Sequence, residues 1–229
     1  MAEKLLSIIV PIYNEENIVA GSLPIIFNLN INKEVLIIND GSTDNTRTIL
    51  QELKKKYDFK LIDQASNQGK GAAIKRGLEE IKGDYFIICD ADLEYQALDI
   101  VYLLTQMLST KDTRTVIYGS RFLARPTISF HYLINKFLTT LTNLLFGSRL
   151  TDMETCFKLI PVTALKTIKL TGRRFEIEPE ITAQLLKAGY NIKEFPIHYV
   201  RRGYKEGKKI KARDGLLAIK TLISEKLFN

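Results

Sequence analysis

Short apolar segments alternate with amphipathic ones over the first half of the chain. Four runs rich in β-forming residues lie at 7–10, 35–38, 60–62 and 85–89. Segments with helical spacing separate them, at 15–29, 46–57 and 71–81, and Pro24 is expected to interrupt the first of these. Runs of this length are typical of strands buried on both faces, and the helical spacing indicates helices that cover them. The order predicts an α/β fold with a mostly parallel central sheet and helices on both faces.

The second half of the chain shows a weaker alternation. Strands are predicted at 116–120 and 192–199, and helices at 128–146, 178–188 and 215–228, the last of them amphipathic. The helices at 128–146 and 215–228 could pack in the core or lie at a membrane interface, and the pattern leaves both open. The uncharged stretches after the first strand, such as residues 137–148, are all shorter than the roughly 20 apolar residues needed to cross a bilayer. We therefore expect no transmembrane helix.

Charge is distributed unevenly along the 229 residues, which we expect to form one domain. Residues 1–118 contain 13 Lys or Arg against 17 Asp or Glu, whereas residues 119–229 contain 20 against 9. Seven of the basic residues fall within 201–213, a stretch that suits phosphates, anionic lipid or nucleic acid. Nucleic acid is disfavoured because the stretch has no recognition motif and few aromatic residues. Two cysteines and no signal peptide indicate a protein of the reducing cytosol.

Acidic residues follow the apolar run at 85–89. Asp90 and Asp92 are two residues apart, so an extended chain places both carboxylates on one side, and Glu94 follows. Carboxylate oxygens are ligands for Mg²⁺ or Mn²⁺, which would neutralise the charge on a bound diphosphate. An isolated Asp-x-Asp is more often a solvated turn or a helix cap. Its place directly after a buried strand favours the metal site.

Two further polar segments follow strands or precede helices. Asp40 begins the string DGSTD after the second strand, and we assign it to the base or ribose of a nucleotide, although such residues also form ordinary turns and helix caps. The string NQGKG at 67–71 has glycines that permit close backbone approach and Lys70, which could meet a phosphate. Alone, that string could equally be a loop entering a helix.

Taken together, these strings resemble a known family. The motifs VPIYNEEN, IINDGSTDNT, NQGKGAAIKRG, ICDADLE and GSR occur in this order, followed by TDMETCFK and RGYKEGKKIKARDG. The ordered set is similar to glycosyltransferase family 2, especially its polyprenyl-phosphate (dolichol-phosphate) mannosyl- and glucosyltransferase branch. The resemblance covers nearly the whole chain. It implies the GT-A fold, a Rossmann-like α/β domain, followed here by a C-terminal amphipathic helix.

The resemblance also implies roles for individual residues. The nucleotide would be bound by Pro11, Tyr13, Glu15, Asp40, Lys70 and Asp90. The metal, Mg²⁺ or Mn²⁺, would be held by Asp90, Asp92 and Glu94. The acceptor phosphate would be met by Arg121, Arg202 and Lys208. The residues most directly involved in catalysis would be Asp92, Arg121 and Asp152. Glu94 stands where mannosyltransferases of this branch typically carry Gln, and residues 127–136 lack an Arg-x-x-x-Ser pattern associated with their acceptor site.

The expected activity is metal-dependent, inverting transfer of a hexose from a donor of the GDP-mannose or UDP-glucose type to a polyprenyl phosphate. Residues 1–118 would bind the nucleotide-sugar, 119–200 the acceptor, and 201–229 would form a basic loop and the terminal helix at the cytoplasmic face of a membrane. An alternative is transfer to a hydroxyl of a glycan or another acceptor, which needs a general base. Candidates for that base are Asp152, Glu178 and Glu180. A non-catalytic nucleotide-sugar-binding module is a third reading, against which the Asp90 and Asp92 pair argues.

Overall fold

The computed structural model describes residues 4–92, 94–123, 130–200 and 212–228. Seven strands are present in this part of the chain: β1 (Leu6–Ile12), β2 (Lys33–Asn39), β3 (Lys60–Asp63), β4 (Tyr85–Ile88), β5 (Thr115–Ser120), β6 (Lys158–Pro161) and β7 (Asn191–Pro196). The helices are α1 (Val19–Phe27), α2 (Thr46–Lys54), α3 (Lys70–Leu78), α4 (Leu98–Ser109), α5 (Phe130–Phe146), α6 (Ile177–Lys187) and α7 (Ala212–Leu227), with a 3₁₀ turn at Val162–Lys166. The strands form one sheet in the order β3-β2-β1-β4-β6-β5-β7.

The sheet is parallel except at β6, which confirms the predicted α/β fold. β6 runs antiparallel between β4 and β5, with Ile160 opposite Phe86 and Leu159 opposite Ile117. Because β6 runs the opposite way, the residues that lead into it lie at the edge where β4 and β5 end. Residues 152–158 are thereby placed beside Asp90 and Arg121, which are far away in sequence.

The core lies on both faces of the central strands. Ile8, Ile9, Ile37 and Phe86 are fully buried, as expected for strands covered by helices on both sides. A smaller apolar cluster joins α5, α6 and α7 through Leu138, Met153, Ala183, Ala218 and Leu222. One face of α5 and one of α7 therefore belong to a core, while other apolar side chains of both helices are exposed.

Three local features differ from the sequence prediction. α4 and β6 were not expected, and Pro24 lies inside α1 instead of interrupting it. A proline at this position removes one backbone hydrogen bond from the first turns, and the burial of Val19, Leu23 and Ile26 offsets that loss. Within the described residues, none of the helices combines the length and apolarity that a membrane crossing requires.

Candidate active site

The loops after β1 and β2 are tied together at the carboxyl edge of the sheet. Asn14, which has a positive φ of 51°, accepts a hydrogen bond from the Thr43 amide at 2.8 Å. The Glu15 amide donates to Thr46 Oγ1, also at 2.8 Å. These bonds place Tyr13 and Glu15 next to the loop that begins at Asp40. The predicted nucleotide-binding residues of β1 and β2 are thus neighbours, although their roles stay a prediction.

Asp40 is buried and binds the loop before α3. Its two carboxylate oxygens accept the backbone amides of Gln68 and Gly69, both at 2.8 Å. Burial raises the pKa of Asp40, and the two backbone hydrogen bonds oppose that rise. Asp40 therefore fixes the loop at 67–69 in the structure, a contact that the sequence did not predict. Its assignment to the base or ribose of a nucleotide stays a prediction.

The glycines at the start of α3 allow a close approach, and the group that approaches is protein backbone. A Cβ on Gly69 would lie 2.4 Å from the carbonyl oxygen of Arg173, and one on Gly71 would lie 2.7 Å from that of Gly172. Arg173 also accepts the Ala72 amide at 3.0 Å. The loop before α6 therefore packs against the beginning of α3, and the glycines serve this contact.

A chain of alternating charges leads from the core to the site. Lys158 on β6 pairs with Glu178 on α6, Glu178 lies 3.2 Å from the Nζ of Lys70, and Lys70 contacts both carboxylate oxygens of Asp90 at 2.9 Å. The exposed fraction of the side chains rises along this series, from 0% for Lys158 and 4% for Glu178 to 14% for Lys70 and 26% for Asp90. Burial lowers the pKa of Lys70, but the carboxylates of Asp90 and Glu178 outweigh it and raise the pKa well above its ordinary value. Lys70 is therefore a fixed positive charge next to Asp90.

Arg121 and Asp152 form a second ion pair at the same edge. The guanidinium donates to both carboxylate oxygens of Asp152 at 2.7 Å, and the Arg121 amide adds a third bond at 3.0 Å. The guanidinium also lies over the rings of Phe122 and Tyr199, 5.3 Å from each centroid. Asp152 has no exposed side-chain surface, and Glu194 accepts its backbone amide. The geometry suits a carboxylate that positions Arg121 better than one that removes a proton from an acceptor.

The predicted metal ligands do not form one cluster. Asp92 accepts the Glu94 amide at 3.1 Å, while Glu94 accepts a hydrogen bond from the Tyr199 hydroxyl at 2.7 Å. Within residues 4–92, 94–123, 130–200 and 212–228, no three His, Cys, Asp or Glu side chains are close enough to hold a metal. Mg²⁺ is commonly bound by one or two carboxylates together with substrate phosphates and water. Asp90 and Asp92, both partly exposed, fit such a shared site, and a three-carboxylate site with Glu94 is not what the structure shows.

Glu154 is a residue of this site that the sequence did not indicate. Its Oε1 atom is fully buried and has no hydrogen-bond partner among the described residues. Burial raises the pKa of Glu154 to about 7, with Glu178 and Asp152 adding to the rise and Lys158 and Arg121 opposing it. Of the other predicted residues, Pro11 lies on β1 opposite Ile38, whereas Arg202 and Lys208 fall outside the described residues.

Comparison with known proteins identifies the family. Residues 7–169 match the model of glycosyl transferase family 2. The chain belongs to this family. It is therefore a glycosyltransferase, and the seven-stranded sheet with its antiparallel β6 is its GT-A fold.

Family 2 relatives and structures differ in the acceptors that their names state. The chain is 28% identical over 226 residues to the UDP-N-acetylglucosamine–dolichyl-phosphate N-acetylglucosaminyltransferase of Methanococcus voltae, covering 89% of each protein. It is 40% identical over 88 residues to the poly-beta-1,6-N-acetyl-D-glucosamine synthase of Staphylococcus epidermidis, which is 38% of this chain but only 21% of that protein. The glucosyl-3-phosphoglycerate synthase of Mycobacterium tuberculosis, crystallised with Mn²⁺, UDP and phosphoglyceric acid, superposes with a TM-score of 0.76 at 16% identity, over 99% of this chain and 80% of that one.

Proposed function

We propose that this glycosyltransferase moves a hexose from a nucleotide-sugar, of the UDP-glucose or GDP-mannose type, to a polyprenyl phosphate. An oxygen of the acceptor phosphate forms the new bond to the anomeric carbon, while the bond from that carbon to the donor diphosphate breaks. The products are a polyprenyl-phospho-sugar with inverted configuration and a nucleoside diphosphate. A phosphate monoester has a second pKa near about 6, so at neutral pH it is mostly dianionic and needs no general base.

The choice of a phosphate acceptor is supported by the candidate bases of the site, whose carboxylates already bind other groups of the protein. A hydroxyl acceptor would need a base within hydrogen-bond reach, and three were considered from the sequence. Asp152 binds Arg121 through both oxygens, and Glu178 is paired with two lysines. Glu180 accepts the backbone amides of Thr171 and Gly172. These three carboxylates are therefore better suited to an acceptor that already carries its negative charge; Glu154 is not engaged in this way.

A phosphate acceptor meets a different difficulty, since it must approach the donor diphosphate against charge repulsion. The fixed guanidinium of Arg121 lies at the same edge as Lys70 and Asp90, and we assign it to the acceptor phosphate. Arg202 and Lys208 are assigned there as well, on the resemblance of their motifs alone. A divalent cation held by Asp90 and Asp92 would neutralise charge on the leaving diphosphate. Tyr13, Glu15 and Asp40 are assigned to the nucleotide.

The surface of the α5 and α7 pair supports a lipid acceptor. Its exposed apolar side chains are large: Leu133, Phe137 and Leu144 on α5, and Leu216, Ile223 and Leu227 on α7. α5 contains no acidic residue, and both acids of α7, Asp214 and Glu225, are 4% exposed. The exposed charges on the described part of this surface are therefore basic: Lys136, Arg213, Lys220 and Lys226. This combination suits peripheral binding to anionic lipid, where each basic residue contributes about 1 kcal/mol.

Vesicle sedimentation tests the membrane part of the proposal. The full chain should pellet with vesicles containing anionic phosphatidylglycerol and remain in the supernatant with neutral phosphatidylcholine. Phe137→Ser combined with Leu144→Ser should weaken the binding, because two exposed apolar side chains are removed without touching the core. The double variant Leu98→Ser and Leu108→Ser, which removes two exposed apolar side chains from α4, is the matched control. Equal sedimentation with both vesicle types would reject peripheral binding through charge.

A transfer assay tests the reaction itself. UDP-glucose and GDP-mannose are each supplied with Mg²⁺ or Mn²⁺ and with either a short polyprenyl phosphate or free-hydroxyl sugars. We expect product only with the phosphate, and Arg121→Lys should lower the rate because a lysine cannot form the two parallel bonds to Asp152. Transfer to hydroxyl sugars alone would overturn the proposed acceptor.

A further inference from the structure

The six charged side chains of the two ion-pair groups balance without Glu154. Three cations, Lys70, Lys158 and Arg121, are paired with three anions, Asp90, Glu178 and Asp152. Glu154 is an additional acid that lies between the two ion-pair groups. Its pKa is shifted by Lys158 and Glu178 on one side and by Arg121 and Asp152 on the other. None of the described cations forms a salt bridge with Glu154. The fold thus retains a buried carboxylate oxygen that has no hydrogen-bond partner among the described residues.

Leaving this carboxyl without a partner has a free-energy cost. A buried polar oxygen without a hydrogen bond typically costs about 1–3 kcal/mol, and nearly all such groups in native proteins find a partner. Other buried carboxylates of this fold do obtain hydrogen bonds from the backbone. Glu180 and Glu194 each accept two backbone amides. Glu154 lies in the turn that leads into β6, where a similar contact is not made. At the edge of an active site, such an atom is a position at which a group of the substrate can supply the missing partner.

The chemistry of that partner follows from the surroundings. A phosphate or diphosphate would be repelled by an ionised carboxylate and is better served by Arg121 and Lys70. A hydroxyl group is the natural complement, because it donates a hydrogen bond to a carboxylate and can accept one from the neutral acid. With a pKa of about 7, Glu154 is present in both forms near neutral pH. Sugar hydroxyls are the abundant groups of this kind in a nucleotide-sugar.

We propose that Glu154 is a specificity-determining residue that hydrogen-bonds a hydroxyl of the sugar to be transferred. The inference rests on the proposed function, in which the acceptor is a phosphate and the hydroxyl groups next to the anomeric carbon belong to the donor sugar. β6 supports the placement, since it brings Glu154 to the edge where Asp90 follows β4. Cys156, two residues further on, contacts both the Lys70 ammonium at 3.8 Å and the carbonyl of Ile88 at 3.4 Å. The turn that carries Glu154 therefore abuts the residues assigned to the diphosphate.

Isothermal titration calorimetry separates sugar recognition from nucleotide recognition. Wild type, Glu154→Gln and Glu154→Ala are titrated with UDP and UDP-glucose, and with GDP and GDP-mannose, all with Mg²⁺. We expect Glu154→Ala to bind the nucleotide-sugar about tenfold more weakly and the nucleoside diphosphate within twofold of wild type, in line with the loss of one hydrogen bond. Glu154→Gln keeps an acceptor oxygen, so its affinity for the nucleotide-sugar should lie between those of wild type and Glu154→Ala. Glu225→Gln, another buried glutamate, on α7, is the control and should match wild type.

Donor analogues lacking single hydroxyls provide the second measurement. Wild type should discriminate against one monodeoxy-sugar donor, and Glu154→Ala should bind that analogue and the parent donor equally. Equal weakening of nucleotide and nucleotide-sugar would show that Glu154 acts through the fold, and unchanged binding of both would show that it makes no donor contact. A third result is that Glu154→Ala loses turnover while its donor binding is unchanged, and that the ascending limb of the pH dependence of its transfer rate is lost as well. That result would make Glu154 a general base for a hydroxyl acceptor. Each of these three results overturns the inference.

The outcomes also separate this inference from the proposed function. If wild type binds the nucleotide-sugar in a manner that depends on Glu154 yet transfers nothing to polyprenyl phosphate, the acceptor is wrong and the sugar contact stands. If transfer to the phosphate proceeds and Glu154→Ala binds the donor like wild type, the sugar contact alone is wrong. If wild type binds none of the four ligands, the donor assignment and the sugar contact fail together.

Discussion

Replacing Glu154 by Gln should stabilise the protein against the loss of stability that wild type shows as the pH rises. The unfolding free energy of the variant minus that of wild type should therefore increase with pH. In the folded protein the pKa of Glu154 is raised from its ordinary 4.5 to about 7 by burial. Between these two values the folded state holds a proton that the unfolded chain has released. Wild type therefore loses stability as the pH rises through this window, and a glutamine, which does not titrate, avoids that loss.

The size of the effect follows from the same two values. One pH unit corresponds to about 1.4 kcal/mol, so the full window from 4.5 to about 7 is worth about 3 to 4 kcal/mol. Because part of the residue retains contact with solvent, we expect about 2 to 3 kcal/mol. The difference between the unfolding free energies of the variant and of wild type should grow by this amount from pH 5 to pH 8.

Urea unfolding at pH 5, 6, 7 and 8, followed by circular dichroism, measures this difference. Urea is uncharged, so it does not screen the ion pairs around the site. Glu52→Gln on the exposed side of α2 provides the baseline for removing a glutamate charge from this chain. A difference between Glu154→Gln and wild type that stays constant from pH 5 to pH 8 would refute the reasoning. It would mean that Glu154 titrates in the folded protein as it does in the unfolded chain.

Three further outcomes follow from the ion pairs and the acidic motif. Lys158→Met should lower the free energy of unfolding in urea by about 3 kcal/mol, the low end for breaking a buried ion pair, because Glu178 loses one of its two lysine partners and keeps Lys70; an unchanged midpoint would contradict the buried pair. Asp92→Ala should abolish transfer with little change in that midpoint, and retained activity would reject the metal assignment. Asp152→Asn should lower turnover more than donor affinity, measured by steady-state kinetics, because Arg121 loses its charged partner; an equal loss in both would argue against an acceptor-side role.

Much of the fold could be predicted because its strongest signals are local. β1, β2 and β4 are short apolar runs that end in polar clusters, and the sequence located them within a few residues. The apolar positions of α4 have helical spacing, at Ile100, Leu103, Leu104 and Met107, so a signal for this helix was present and was not recognised. β6 gave almost no signal, since it has four residues, begins with a lysine and ends with a proline.

The site was harder to predict because its partners are distant in sequence. The motif ICDADLE indicates carboxylates at a strand end, but not that Lys70 would bind Asp90 from 20 positions earlier. Lys158 would ordinarily be placed at the surface, and its full burial depends on Glu178, which lies on another element. Glu154 stands in a polar turn like many exposed glutamates. Only the packing of β6 between β4 and β5 shows that its oxygen is enclosed.

The insertion of β6 between two earlier strands has a consequence for how the chain is made. β4 is complete when Ile88 leaves the ribosome, but the strand that covers its free edge begins about 70 residues later, which corresponds to roughly 4 to 14 seconds of synthesis. During that time Tyr85–Ile88 presents an unpaired apolar edge, the kind of surface on which nascent chains aggregate. Closing this edge and delivering the 152–158 turn to Asp90 are the same event. A newly made chain therefore gains protection from aggregation and the Asp152–Lys158 side of its active site at one step.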